Sequence, residues 1–136
     1  MLREMFILAR EYEDIVRRTV DAVNKQDLTM LDDLFAEDYI DHTSQFQSRE
    51  AIRKFYRAVF KDFPDFHRTI EDMVIDGNKV WVRFSTTATV KGKRLEITSI
   101  VIMRVAKGKI TEGWGGVIQK MSIPKAKGEI IRKISQ

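Results

Sequence analysis

Cysteine is absent from this chain of 136 residues, and proline occurs only twice. Without a thiol, the chain offers no disulfide, no thiolate nucleophile and no cysteine-ligated zinc site. It also lacks the run of about 18 apolar residues that a membrane-spanning helix needs, so no membrane partner is expected. No uninterrupted apolar stretch follows Met1, and no secretory signal is therefore predicted. Together these absences favour a cytoplasmic protein.

Charge is nearly balanced, with 24 Lys and Arg residues against 20 Asp and Glu residues. All of the positive excess lies from Lys120 onward, where five cations stand against one anion. Because the body of the chain is neutral, a basic face for nucleic-acid binding is not expected. We interpret residues 1–122 as one domain and residues 123–136 as a basic C-terminal tail. A contact between this tail and an acidic partner is a separate hypothesis.

Apolar residues recur every three to four positions in the first half of the chain, which is the period of one helical face. The pattern predicts a first helix over residues 2–25. Asp27 is placed to cap a second, short helix and Ser48 to cap a third, because their side-chain oxygens can accept the free amides of a first turn. Pro64 ends the third helix, since proline disfavours helical backbone at the residue before it.

After Phe66 the apolar period changes from about 3.6 residues to two, which is typical of strands. Three glycine-containing turns separate the extended runs, and short turns join antiparallel neighbours. The runs cover residues 67–75, 79–90, 94–106 and 109–119. A shorter extended piece, residues 39–42, precedes the third helix. We therefore predict an α+β fold with three N-terminal helices packed on a strongly curved, four-to-six-stranded antiparallel sheet, cone-shaped with an internal pocket.

The last extended run places a carboxylate among apolar residues. Strict alternation puts Ile110, Glu112 and Trp114 on one face of the strand, and we expect that face to line the pocket. Burial without a partner raises the pKa of a carboxyl group and suits it to acid or base catalysis. The structural alternative is an ion pair between Glu112 and Arg104 on the neighbouring run.

Two histidines, His42 and His67, are the side chains that titrate near neutral pH. His42 follows Asp41, and it either assists at the pocket or forms a structural hydrogen bond. His67 begins a strand beside a loop, where a solvated structural role is expected. No metal-ligand spacing joins the two histidines, so no metal site is predicted. No phosphate-binding or dinucleotide motif occurs, and no cofactor is predicted.

Tryptophans and glycines in the strands allow two interpretations each. Trp81 and Trp114 either line a pocket for a flat apolar ligand or belong to the core. Gly113, Gly115 and Gly116 weaken a strand unless they serve a bend, a bulge or the close approach of another group. Either curvature or a ligand explains these glycines.

Three motifs carry a resemblance to a known family. They are Tyr39-x-Asp41-His42, Phe63-Pro64-Asp65 and Gly108-Lys109-Ile110-x-Glu112-x-Trp114. With the order of helices and strands, they make residues 10–120 resemble the SnoaL-like polyketide cyclases of the nuclear-transport-factor-two-like superfamily. The resemblance implies an α+β cone with a mostly apolar pocket, a homodimer, and no metal or organic cofactor. It also implies an intramolecular aldol ring closure on a polyketide ester, driven by an acid/base carboxylate.

Two functional hypotheses are open. The first is a cyclase, isomerase or hydrolase that acts on a small apolar molecule. Its candidate catalytic residues are Glu112, His42 and Asp41. Its candidate substrate-binding residues are Trp114, Tyr39, Trp81, Phe63 and Arg104. The second hypothesis is a non-catalytic ligand-binding or dimerisation domain, because the family usually has an Asp soon after the tryptophan and none follows Trp114 here.

Overall fold

The helices come first along the chain and most of the strands follow, as the computed structural model describes for residues 1–45 and 47–122. The helices are α1 (Leu2–Asn24), α2 (Leu31–Leu34) and α3 (Arg49–Asp62). The strands are β1 (Phe35–Asp41), β2 (His67–Asp76), β3 (Lys79–Val90), β4 (Lys93–Ala106) and β5 (Lys109–Ser122). The predicted basic tail, residues 123–136, lies outside the described residues.

Both predicted helix caps are confirmed. Asp27 accepts the amide of Thr29 at 3.1 Å and begins a 3-10 turn over Leu28–Met30 that leads into α2. Ser48 accepts the amide of Ala51 at 3.2 Å and begins α3. Each oxygen satisfies an amide that has no partner within its own helix. None of the described helices has the length and apolarity that crossing a bilayer requires.

The strands form one mixed sheet in the order β1-β5-β4-β3-β2. The predicted antiparallel meander is confirmed for β2 to β5, which are joined by turns at Gly77, Gly92 and Gly108. These glycines have φ angles between 60° and 77°, a left-handed backbone that favours glycine. β1 departs from the prediction because it pairs in parallel with β5, with Asp41 beside Gly113. A local pattern marks a strand but not its direction, which here depends on a long connection.

The core lies between the helices and the inner face of the sheet. β3 supplies its centre, where Val80, Val82 and Phe84 are each at most 1% exposed. Val16 of α1 and Leu34 of α2 belong to the same cluster. Fully burying each apolar side chain of this kind contributes about 1.5–3 kcal/mol, so this cluster holds the helices on the sheet.

One irregularity in β5 decides where its side chains point. Val105 pairs with Ile110 and Arg104 pairs with Glu112, so Thr111 is an additional residue in β5. Such a bulge reverses the alternation of the strand beyond it. Ile110 is fully buried on the inner face, whereas Glu112, two positions further on, lies with Arg104 on the outer face.

Candidate functional site

A cavity of about 290 Å³ lies between the inner face of the sheet and the helices. Its walls come from α1, α3 and all five strands, and they are mainly apolar. The apolar lining residues include Val20, Val23, Phe35, Ile52, Phe84 and Met103. Within the described part of the chain, two charged residues line it: Asp41 at the end of β1 and Arg68 near the start of β2. These two groups are the charged side chains of a mainly apolar cavity.

Asp41 is held in place by the turn that follows β1. Its Oδ1 accepts the amides of Thr43 at 3.0 Å and Ser44 at 2.8 Å. Its Oδ2 accepts a long hydrogen bond, 3.4 Å, from the hydroxyl of Tyr39. A carboxylate has about four acceptor positions, so Oδ2 keeps capacity for a further donor or for a proton. The predicted acid/base candidate Asp41 therefore lies at the cavity and is oriented by backbone amides.

Tyr39 places a buried phenol beside this carboxylate. The residue is 5% exposed, and burial raises the pKa of its hydroxyl well above the usual value. The negative charge of Asp41 raises that pKa further. The hydroxyl therefore stays protonated at physiological pH and remains a hydrogen-bond donor. Of the candidates predicted for substrate binding, Tyr39 is the one that lines the cavity.

The position of Tyr39 explains the glycine opposite it. A Cβ atom at Gly113 would collide with the Tyr39 hydroxyl, so glycine leaves the room that the phenol occupies. Of the causes that the sequence suggested, the close approach of another group is the one found at Gly113, and that group is a side chain of the protein. Gly115 is crowded for another reason, since its Cβ would lie 2.9 Å from the carbonyl oxygen of Ile100.

Arg68 is a charged wall residue that was not among the predicted candidates. Its Nε donates to Thr86 Oγ1 at 3.2 Å, and its Nη1 donates to the Tyr56 hydroxyl at 3.1 Å. The guanidinium carbon lies 5.3 Å from the centre of the Phe66 ring and 5.0 Å from that of Phe84. Strict alternation carries no signal for this residue, because it groups Arg68 with Ile70, Asp72 and Val74, and an irregularity between Ile70 and Asp72 places the last two on the outer face.

Four other candidates come together on the opposite face of the sheet. Glu112 Oε1 accepts from Arg104 Nη1 at 2.9 Å, and Glu112 Oε2 lies 2.7 Å from His42 Nε2. The His42 ring stacks on Trp114 with 4.8 Å between the ring centroids. The cationic groups of Arg104 and Lys79 each lie 5.6 Å from the Trp114 ring centroid. We call Glu112, Arg104, His42 and Trp114 the outer cluster.

The predicted orientation of Glu112 and Trp114 is therefore wrong. Neither residue lines the cavity. The additional residue Thr111 reverses the alternation of β5 beyond it, so that the side chains of Glu112 and Trp114 lie on the outer face. The alternative prediction, an ion pair between Glu112 and Arg104, is confirmed. His42 forms a side-chain hydrogen bond in this cluster and is likewise absent from the cavity lining.

The electrostatics of Glu112 are those of an ion-paired carboxylate. The hydrogen bond with His42 lowers the pKa of Glu112 below its usual value, partial burial opposes this effect, and the charge of Arg104 reinforces it. The sequence suggested a raised pKa, which required a carboxyl group without partners. With both oxygens engaged, Glu112 is a weak proton donor at neutral pH.

The two remaining aromatic candidates lie away from the cavity. Trp81 is 44% exposed on the outer face of β3, between Val74 of β2 and Ile102 of β4. Phe63 directly follows α3, where its amide donates to the carbonyl of Val59 at 2.7 Å. Across the described residues, no three His, Asp or Glu side chains are grouped as a metal site requires.

Comparison with known proteins identifies relatives of this architecture. A family model described as a SnoaL-like domain matches residues 16–113. Among curated protein sequences there is no match to the chain. Among solved structures, a candidate polyketide cyclase from Bacillus cereus ATCC 10987 is 28% identical, with a TM-score of 0.73 over 79% of this chain and 74% of that one.

Two more distant structures share the fold. IdmH, a candidate polyketide cyclase from Streptomyces antibioticus, is 24% identical, with a TM-score of 0.71 over 79% of this chain and 91% of that one. A SnoaL-like polyketide cyclase from Agrobacterium tumefaciens C58 is 20% identical, with a TM-score of 0.72 over 90% of this chain and 97% of that one. At such identities the likeness concerns the fold, and the residues of the cavity must carry any statement about function.

Proposed function

Because this chain belongs to the family of SnoaL-like domains, we propose that it binds a small apolar carbonyl compound in its cavity and moves a proton on it without a cofactor. The reaction is of cyclase or isomerase type. One observation carries the proposal: the Asp41 carboxylate and the Tyr39 phenol, 3.4 Å apart, both line an apolar cavity. The name of the B. cereus structure, a candidate polyketide cyclase that is 28% identical to this chain, supports the same reaction class.

These two groups suit the removal of a proton from a carbon beside a carbonyl group. Asp41 Oδ2 accepts that proton, and the Tyr39 hydroxyl donates a hydrogen bond to the developing enolate oxygen. A carboxylate and a neutral phenol thereby divide the roles of base and hydrogen-bond donor. In ring closure, the enolate carbon attacks a second carbonyl group of the same molecule, and the proton passes to the new alkoxide. In isomerisation, the proton returns to a different carbon.

We assign a positioning role to the outer cluster. The backbone amide of His42 donates to the carbonyl of Gly113 at 2.8 Å. The His42 imidazole forms a hydrogen bond with the Glu112 carboxylate. Both contacts join the end of β1 to β5, directly after Asp41. Glu112 and His42 therefore act on the reaction through the position of Asp41.

Deuterium exchange tests the proposed proton transfer. In D₂O the wild-type chain is expected to exchange the hydrogens beside the carbonyl group of 1-tetralone faster than buffer does. Asp41→Asn is expected to bind the ketone equally and to lose the exchange, since an amide cannot take up the proton. Asp38→Asn, the same change at an exposed position of β1, is the matched control. Exchange that persists in Asp41→Asn would overturn the role of Asp41.

A non-catalytic ligand-binding domain is the second candidate function, and one observation favours it. The family usually has an Asp soon after the tryptophan of its last strand, whereas residues 115–118 are Gly, Gly, Val and Ile here. In that case the cavity binds the same class of ligand without converting it. Saturable binding of 1-tetralone, with exchange no faster than in buffer, would decide for this candidate.

We also propose that the chain forms a homodimer, as the family resemblance implies, and that the outer face of the sheet is its interface. Val74, Trp81 and Ile100 support this, because they are 61%, 44% and 37% exposed on that face and exposed apolar patches mark interaction sites. Sedimentation equilibrium is expected to give twice the chain mass of 15.9 kDa. Trp81→Lys should give the monomer, whereas Phe6→Lys, at an exposed position of α1, should not. A monomeric wild type at every concentration would remove the proposal.

A further inference from the structure

We propose that Arg68 binds an acidic group of the ligand, so that the substrate class is a small apolar carbonyl compound that also carries a carboxylate. This inference deepens the function proposed above and rests on the same cavity. Its basis is a guanidinium group in an apolar wall, with hydroxyl groups and aromatic rings as its described side-chain partners.

The charge of Arg68 has no counter-ion within the described part of the chain. None of the ion pairs there includes it, and Asp41, the other charged residue of the lining, is not paired with it. A cation that is partly removed from water costs free energy unless an anion or strong polar contacts compensate. The rings of Phe66 and Phe84 compensate in part through cation–π contacts. A ligand carboxylate would complete the compensation.

The geometry of the guanidinium group suits this role. Its hydrogen bonds to the described residues use Nε and Nη1, which leaves the two N–H groups of Nη2 for a ligand. A planar guanidinium matches the two oxygens of a carboxylate. Tyr56 and Thr86 accept from Arg68, so each hydroxyl keeps its own proton for an acceptor. One side of the cavity therefore presents several donors around one positive charge.

Size and charge together restrict the ligand. A cavity of about 290 Å³ lies at the lower end of the range of ligand sites, roughly 300–1,000 Å³, and favours a molecule of one or two rings. Because Arg68 and Asp41 are not paired, a ligand acid on Arg68 leaves the Asp41 carboxylate available as a base. The molecule that fits both groups is a small keto acid with an apolar body.

Matched aromatic probes test the inference without knowledge of the natural substrate. Isothermal titration calorimetry of the full chain compares 2-naphthoate with 2-naphthamide, which differ in charge and little in shape. We expect the wild type to bind the acid at least about tenfold more tightly, as a charge-assisted bidentate contact allows. Arg68→Gln should remove this preference and leave the affinity for the amide unchanged. Arg83→Gln, an arginine of the outer face, should keep the preference.

A second variant keeps the inference falsifiable if Arg68→Gln fails to fold. Tyr56→Phe removes one hydroxyl donor and should reduce the preference for the acid about threefold, the effect of a single hydrogen bond. Equal affinities of the wild type for acid and amide, no binding of the acid, or a preference that survives in Arg68→Gln would each overturn the inference. Exchange into 1-tetralone, which has no acid group, judges the proposed proton transfer separately.

Discussion

The two faces of the sheet carry the same kinds of residue in different electrostatic states. On the inner face, Asp41 and Arg68 line one cavity and are not paired with each other. On the outer face, both oxygens of Glu112 are engaged, by Arg104 and by His42. Charges that satisfy one another serve the fold, whereas charges held apart in an apolar cavity are available to a ligand. A cationic partner, more than a position among apolar residues, therefore distinguishes a structural carboxylate from a candidate base such as Asp41, whose partners are two amides and a phenol.

Replacing each carboxylate by its amide should give the largest difference between the two faces. We expect Asp41→Asn to lower the rate of proton transfer by about 10²–10⁴-fold, the contribution of a positioned base. Glu112→Gln should lower it by less than about tenfold, because it acts by positioning alone. The asparagine oxygen still accepts the amides of Thr43 and Ser44, so the fold of the turn is expected to persist.

Deuterium exchange at saturating ketone measures both variants. Asp41→Asn should lose nearly all of the exchange, while Glu112→Gln should keep more than about a tenth of it. A larger loss of exchange in Glu112→Gln than in Asp41→Asn would contradict this assignment, because Glu112 and not Asp41 would then be the base.

Helix caps and hairpin turns were predictable because they depend on residues that are close along the chain. Asp27 and Ser48 each cap an amide two or three residues further on, and Gly77 lies in a turn between two adjacent strands. The parallel pairing of β1 with β5 is different, since it brings Asp41 beside Gly113 across most of the chain. A pattern among residues that are close along the chain does not predict this pairing.

The candidate site was predictable only in part, because it depends on the direction of side chains. Tyr39 and Asp41 were candidates from the sequence, and both line the cavity. Glu112 was assigned to the wrong face because strict alternation assumes that every residue of a strand is paired. A bulge adds one unpaired residue, here Thr111, without a distinctive composition. Arg68 was missed for the same reason, because β2 has an irregularity between Ile70 and Asp72. Strict alternation therefore groups Arg68 with Asp72 and Val74, which lie on the outer face.

Gly113→Ala is expected to have the next largest effect, at the junction between the two faces. The added methyl group would collide with the Tyr39 hydroxyl, and overpacking of this kind costs about 1–3 kcal/mol. Urea denaturation should therefore show a lower free energy of unfolding. The double variant Gly113→Ala/Tyr39→Phe should recover part of the loss, because the colliding oxygen is gone.

The matched control is Gly116→Ala, where an added Cβ meets no atom within 4 Å. Its effect on the free energy of unfolding should stay within about 0.5 kcal/mol. An equal loss at both positions would assign the effect of Gly113→Ala to the backbone rather than to Tyr39.

The outer cluster should also make stability depend on pH, with a smaller effect. The pKa of Glu112 is lowered in the folded chain, so the folded state binds this proton less readily than the unfolded state. The stabilisation is present above the ordinary glutamate pKa of about 4.3 and is lost as the pH falls through the lowered value. The side chains of Arg104 and Glu112 are 36% and 25% exposed. For this partly exposed pair we expect Glu112→Gln to cost about 1 kcal/mol at neutral pH and less at pH 3.

Urea denaturation at the two pH values measures this difference. Glu37→Gln, an exposed position of β1, is the control and should show no such dependence. If Glu112→Gln cost the same at both pH values, the contribution of Glu112 would come from its shape and not from its charge.

The smallest effect is expected for an exposed ion pair on the outer face. Two nitrogens of Arg83 donate to Asp72 Oδ2 at 2.9 Å and 2.6 Å, and the side chains are 44% and 67% exposed. Exposed pairs contribute about 0.2–1 kcal/mol. A double-mutant cycle with Arg83→Gln and Asp72→Asn should therefore give a coupling energy below roughly 0.5 kcal/mol in the monomer.

The same coupling energy also tests whether the outer face is covered by a second copy of the chain. If a second copy of the chain covers the outer face, the Arg83–Asp72 pair is shielded from water, and its coupling should rise with protein concentration. Sedimentation of the same samples shows whether the rise follows dimer formation. A coupling that stays small in a dimeric sample would exclude this face as the interface. The outer cluster would then serve a single chain, by joining β1 to β5 and holding Asp41 at the cavity.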